Sequence, residues 1–152
     1  MPQIQTTHFG LIDYETAGVI EFPQGLPAFE AERQFILIQE PAMSPVVFLQ
    51  SLRNAALALP AMPAVAVDPG FQPQPSAEDV ASIGCDAHAP VDPESLYVLA
   101  VVTISGAGRA TANLMAPILI HRERRLAIQS LEPWNGYSHQ HALARPGEGT
   151  CS

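Results

Sequence analysis

LYVLAVVTI, residues Leu96–Ile104, is the most apolar stretch of the chain, bounded by Pro93 and Gly106. It is β-branched and almost unbroken by polar residues. Its length suits a strand better than a helix, and a run without alternation suits a strand buried on both faces. A central strand is therefore predicted here, and its neighbours must be found on either side.

On the C-terminal side, Pro117–His121 and Leu126–Ser130 flank Arg122-Glu123-Arg124-Arg125 and read as a hairpin with a solvated tip. On the N-terminal side, Gln34–Gln39 (QFILIQ) and Val46–Ser51 (VVFLQS) read as strands, with Val19–Phe22 before them. Gln3–Phe9 alternates in polarity, and Gly10 can bend the chain into Leu11–Tyr14, an opening hairpin. Leu57–Leu59 and Ala64–Val67 are weaker strand candidates. Prolines at 60, 63, 69 and 73 limit their ladder hydrogen bonds, which places this segment at an edge. Ser76 with Asp79 three residues later reads as a helix N-cap and acidic first turn, and Gly84 as the stop, predicting a helix over Ala77–Ile83.

The expectation is thus a mainly β fold: a compact antiparallel β-barrel-like single domain over 1–132, with one or two short helices. From Pro133 the pattern fades, so 133–152 is expected to be a flexible tail, with Trp134 and Tyr137 docking back.

The 152 residues carry 15 acidic and 7 basic side chains, a net charge of −8, and every basic residue is arginine. That balance argues against direct nucleic-acid binding, which needs dense cationic charge, and against docking on an anionic membrane. It suits a basic protein partner. No apolar run reaches the ~18 residues of a membrane span. The N-terminus lacks the charged and apolar regions of a signal peptide, and Cys85 and Cys151 make no disulfide framework, so a cytoplasmic location is expected.

Chemistry-bearing patterns are sparse. Cys85 and His88 form a C-x-x-H spacing, short of the ligands a closed zinc site requires. The G-x-G of Ser105-Gly106-Ala107-Gly108-Arg109 lacks the third glycine and following helix of a phosphate cradle, and reads as a hairpin loop. No G-x-S-x-G occurs, and Glu78-Asp79 suits helix capping. No catalytic, metal or cofactor site is expected. The alternative is a small metal- or ligand-binding β-barrel, or a hydrolase using Cys85 and His88.

Phe22-Pro23-Gln24-Gly25-Leu26-Pro27-Ala28-Phe29-Glu30 resembles the F-P-x-G-L-P-x-F-E signature of the flagellar assembly factor family FliW. His8-Phe9-Gly10 stands before it at the matching distance. Phe48-Leu49-Gln50-Ser51 is similar to the family's strand ending in L-Q-S, and Thr111-Ala112-Asn113-Leu114-Met115-Ala116-Pro117-Ile118 to its T-A-N-L-x-A-P-I block. The likeness covers roughly residues 4–130 in order. One departure stands out: the family's V-D-P follows the L-Q-S block, whereas here Pro60-Ala61-Met62-Pro63 intervenes before Val67-Asp68-Pro69.

The resemblance implies a cytoplasmic, non-enzymatic, cofactor-free protein that binds flagellin, through its C-terminal region, and the translational repressor CsrA, whose RNA-binding surface is basic. The two partners would compete for it, so that capture of CsrA relieves repression of flagellin translation. Within the signature, Phe22, Pro23, Gly25, Leu26, Pro27, Phe29 and Glu30, with Gln50 and Pro117, are expected to be structural. Gly25 can take a positive φ between two prolines, and Phe22, Leu26 and Phe29 can close a barrel end. Asn113 either satisfies strand-end backbone groups or faces a partner. With Leu114, Met115 and Ile118 it is the candidate partner-binding patch, an exposed apolar surface suited to an amphipathic helix. Asn113→Ala or Met115→Glu is then expected to weaken binding more than stability.

Overall fold

The computed structural model describes residues 2–26, 29–73, 75–84, 93–104, 109–130, 136–138 and 140–143. A hairpin of β1 (Gln3–Thr6) and β2 (Gly10–Asp13) stands apart from the main sheet. The main sheet runs, each strand antiparallel to the next, through β3 (Ile20–Glu21), β4 (Gln34–Gln39), β5 (Val47–Ser51), β6 (Ala58–Pro63), β7 (Leu96–Ile104) and β8 (Ala110–His121). β9 (Ala127–Gln129) pairs with the end of β8 and β10 (His141–Ala142) with its beginning. A parallel bridge joins Glu21 to Leu126, with Glu21 N–H donating to the Arg125 carbonyl at 2.8 Å. Strand β3 thereby returns to the β9 side, and the sheet becomes a nearly closed barrel. The mainly β, barrel-like fold expected from the sequence is what the chain adopts.

The barrel interior is filled by side chains. Ile20, Phe22, Phe35, Leu49, Leu99 and Ile118 are all fully buried in one cluster, each contributing about 1.5–3 kcal/mol. An interior so occupied does not support the ligand-holding barrel. A second cluster on the other face of β7 and β8 gathers Ala64, Phe71, Ile83, Leu96, Ala100 and Leu119. The two clusters sandwich β7, which is why its sequence is apolar without alternation.

Two helices cover the second cluster, α1 (Ala64–Val67) and α2 (Ala77–Ser82). In α2, Asp79 N–H donates to Ser76 Oγ at 3.0 Å and the Asp79 carboxylate accepts from Ser76 N–H at 3.5 Å, a reciprocal cap. The same carboxylate accepts from Ser130 Oγ at 2.8 Å, tying the cap to the end of β9. Ser76→Ala is expected to cost about 1 kcal/mol, read as a lowered urea midpoint with an unchanged slope.

Three expectations need correction. Ala64–Val67 is a helical turn, not a strand; the alternation A-V-A-V does not distinguish the two. The β6–β7 ladder ends at the Pro63–Leu99 pair, and a single turn, closed by Asp68 N–H to Ala64 C=O at 2.9 Å, seats Ala64 in the second cluster. The segment around Leu57–Leu59 is not at an edge either, since β6 lies between β5 and β7. Its prolines are tolerated because each stands where the strand is paired on one flank only. Pro60 pairs with Phe48 before the β7 ladder begins at Ala61, and Pro63 pairs with Leu99 after the β5 ladder has ended at Ala61. Thirdly, part of the stretch read as a tail belongs to the sheet. β10 pairs with Thr111 and Ala112. Tyr137 does dock back as expected, its ring 4.7 Å from Phe71 and its hydroxyl accepting from Gln72 N–H at 2.9 Å. Trp134 lies outside the described residues.

The turn at 122–125 is exposed but not idle. The Arg122 guanidinium stacks 4.9 Å over the Tyr97 ring, Arg124 lies against Gly84, and Arg125, at φ 55, offers the carbonyl that closes the barrel.

Candidate functional site

The T-A-N-L-x-A-P-I block is an interruption in β8. β7 and β8 pair at Leu99–Ile118 and resume at Val101–Asn113. Between these pairs, Ala100 alone faces Leu114, Met115, Ala116 and Pro117. Such a wide bulge takes backbone groups off the ladder, and each must find another partner. Asn113 Oδ1 accepts from both Met115 N–H and Ala116 N–H at 3.0 Å. Leu114 N–H donates to the Ser138 carbonyl at 2.9 Å. Pro117 has no N–H to satisfy. Gln129 Nε2 donates to the Ala116 carbonyl at 3.0 Å, and Ser130 N–H to that of Pro117 at 2.9 Å. The bulge itself thus engages the Asn113 amide, and a proline at 117 leaves no N–H there to satisfy.

The four candidate partner-binding residues come apart. Leu114 and Ile118 are 1% and 0% exposed, so they do not form the exposed patch expected of them. Asn113 and Met115 are half-buried, with Asn113 engaged by backbone. Alternation itself separates them: Ala112, Leu114 and Ile118 are buried on one face, while Thr111, Asn113 and Met115 on the other are half-buried. Gln129 and Ser138, which complete the bulge, carry no local sequence signal for that role.

The F-P-x-G-L-P-x-F-E segment is a tight return. Gly25 has φ +69, and a Cβ there would lie 2.4 Å from the Glu30 carbonyl oxygen. Phe22 N–H donates to Arg33 C=O at 2.7 Å, Gly25 N–H to Phe22 C=O at 2.9 Å, and Phe29 N–H to Leu26 C=O at 2.8 Å. Phe22 and Leu26 are buried, and the Phe22 and Phe35 rings meet edge to face at 5.2 Å. Phe29 is 43% exposed and Pro23 and Glu30 are exposed. The barrel end is thus closed by Phe22 and Leu26 without Phe29, whose position past the reversal turns it outward. Pro27 lies outside the described residues.

Gln50 is fully buried on β5, its Nε2 donating to the carbonyls of Ser51, Asn54 and Ala55 at 3.0–3.2 Å. Ser51 Oγ donates to Glu32 at 2.8 Å and accepts from the N–H groups of Arg53 and Asn54. The Q-S pair is the anchor of the β5–β6 turn, which in turn receives Thr7 N–H on the Ala55 carbonyl at 3.0 Å. Among the described residues no three His, Cys, Asp or Glu side chains converge as metal ligands would. Cys85, His88 and the loop 105–108 lie outside the described residues.

A sequence model of the family described as FliW protein matches residues 3–143. The chain belongs to the FliW family. Among similar proteins, the flagellar assembly factor FliW of Moorella thermoacetica is 34% identical over 143 residues, covering 93% of this chain and 87% of the relative. That of Syntrophomonas wolfei is 30% identical over 145 residues, covering 95% and 90%. A crystal structure of the flagellar assembly factor FliW superposes with a TM-score of 0.81 at 25% identity, covering 95% of this chain and 99% of the other. The FliW match runs through β10 at the C-terminal end. Of the FliW signature residues quoted from this sequence, Phe22, Gly25, Leu26, Gln50, Ser51 and Asn113 have the packing and backbone roles described above.

Proposed function

We propose that this chain is a cytoplasmic, non-enzymatic flagellar assembly factor that works by partner switching. It binds the C-terminal region of flagellin and, in its absence, the repressor CsrA, so that flagellin translation rises when flagellin has been exported. Membership of the FliW family across residues 3–143 carries this reading. The net charge of −8 supports a basic partner such as CsrA, because complementary fields speed encounter and discriminate between partners. Two ligands competing for one scarce protein are enough for homeostasis by mass action. No helix among the described residues is long and apolar enough to cross a membrane. Asn113 and Met115 remain the candidate contacts of the predicted patch, Met115 being the more available.

The test is calorimetry of the purified chain with flagellin and CsrA from the same organism. Binding to each alone is expected, with flagellin suppressing CsrA capture. CsrA affinity should fall as salt is raised from about 50 to 300 mM, where charge attraction is screened. Failure of both partners to bind removes the reading.

A further inference from the structure

Among the described residues, no strand pairs with the second half of β4 on its β3 side. Its ladder with β3 holds only two pairs, Ile20–Phe35 and Glu21–Gln34, whereas its ladder with β5 continues to Gln39–Val47. Arg33 C=O accepts from Phe22 N–H on the β3 side and Gln34 C=O accepts from Leu52 N–H on the β5 side. Backbone groups alternate along a strand, so Phe35, Leu37 and Gln39 point toward β3. Beyond Phe35 there is no β3 left to meet Leu37 and Gln39.

Free edges invite pairing with other chains, and proteins usually blunt them with charge, proline, a bulge or shortness. Here β10 and β3 are two residues long, and β2 ends in Asp13. β4 reads QFILIQ, uncharged, with neither proline nor glycine and high β propensity. The open edge borders a groove of about 410 Å³ lined by Ile12 and residues 36–39, with two carboxylates, Asp13 and Glu15, against one cation, Arg125.

We infer that this groove accepts an extended segment of a basic partner protein, which adds as a strand to β4 through Leu37 and Gln39. Main-chain bonds along β4 supply affinity, and the acidic rim favours cationic side chains. A second copy of this chain would bring the same acidic rim and a net charge of −8, which disfavours self-pairing. The inference deepens the partner-binding reading above and rests on it.

Amide hydrogen exchange of the full chain, alone and with purified CsrA, tests it. Exchange at Leu37 and Gln39 should slow at least about tenfold in the complex. Gln39→Pro removes one outward N–H and leaves the β5 ladder intact, since Gln39 points away from β5; it should weaken CsrA binding about tenfold, the equivalent of one backbone hydrogen bond. Binding by the unaltered chain with no protection at these amides, or with Gln39→Pro binding equally well, overturns the edge proposal and leaves the functional reading standing. No CsrA binding by the unaltered chain overturns the edge proposal and the CsrA half of the functional reading, which flagellin binding then tests alone. Protection that arises on concentrating the chain alone, with dimers in sedimentation, assigns the edge to a second copy and also overturns the proposal.

Discussion

Gly25→Ala is expected to destabilise the protein by more than about 3 kcal/mol, a large share of the ~5–15 kcal/mol that holds a domain together. Two effects combine. At φ +69 any L side chain is strained, at a cost of roughly 1–2 kcal/mol. The added Cβ would also sit 2.4 Å from the Glu30 carbonyl oxygen and 2.6 Å from its Cα, which are backbone atoms and cannot rotate aside. The return that buries Phe22 and Leu26 would have to open. For a chain of this size, 1 kcal/mol shifts the thermal midpoint by about 2–4 °C, so a fall of about 6 °C or more is expected in calorimetry. Gly10→Ala is the control: its φ of +71 is equally unfavourable, but its Cβ would meet nothing within 4 Å. It should lose only the conformational part, about 1–2 kcal/mol. Equal effects at the two positions would mean that the Glu30 backbone yields easily and that packing is not what requires glycine at 25.

Asn113→Ala is expected to cost about 2–4 kcal/mol, because it strips the acceptor from two backbone N–H groups that the bulge has already taken off the ladder. Asn113→Asp keeps an acceptor oxygen and should restore most of that loss at neutral pH. This revises the expectation that Asn113 matters more to binding than to stability. Met115→Glu, at a half-buried side chain, is the better probe of contact, expected to cost under about 1 kcal/mol of stability. Urea unfolding of the three variants decides it. An Asn113→Ala protein as stable as its parent would show that water or a local shift satisfies Met115 and Ala116, and would return Asn113 to the list of surface candidates.

The misreadings have physical causes that can be named. Leu114 and Ile118 are grouped with Asn113 and Met115 by their shared motif block, yet strand alternation puts 113 and 115 on one face and 114 and 118 on the other. The bulge opposite Ala100, which turns the Asn113 amide to backbone N–H groups, becomes visible only when β7 is laid alongside. The placement of 57–67 at an edge followed from its prolines, whose tolerance depends on which flank of β6 is unpaired at each one. β10 was hidden because His141–Ala142 has no strand signal of its own; it is held by Thr111 and Ala112 and by the Tyr137 contact with Phe71. The bulge, the unpaired flanks and the β10 pairing are not local information.

What the amino-acid order determined unaided was the set of short-range decisions: an apolar run at 96–104 that must be buried, a cap at Ser76 and Asp79, a glycine at 25 between prolines, and an acidic excess over the whole chain. Those depend on propensities, side-chain chemistry and charge that each residue carries with it. The tertiary structure alone decided which flanks of a strand are paired, where β8 bulges, and that β4 outlasts β3 and leaves Leu37 and Gln39 at an open edge. Backbone hydrogen bonds between distant strands set those features, and every residue offers the same N–H and C=O, so its identity does not say which of them will find a partner.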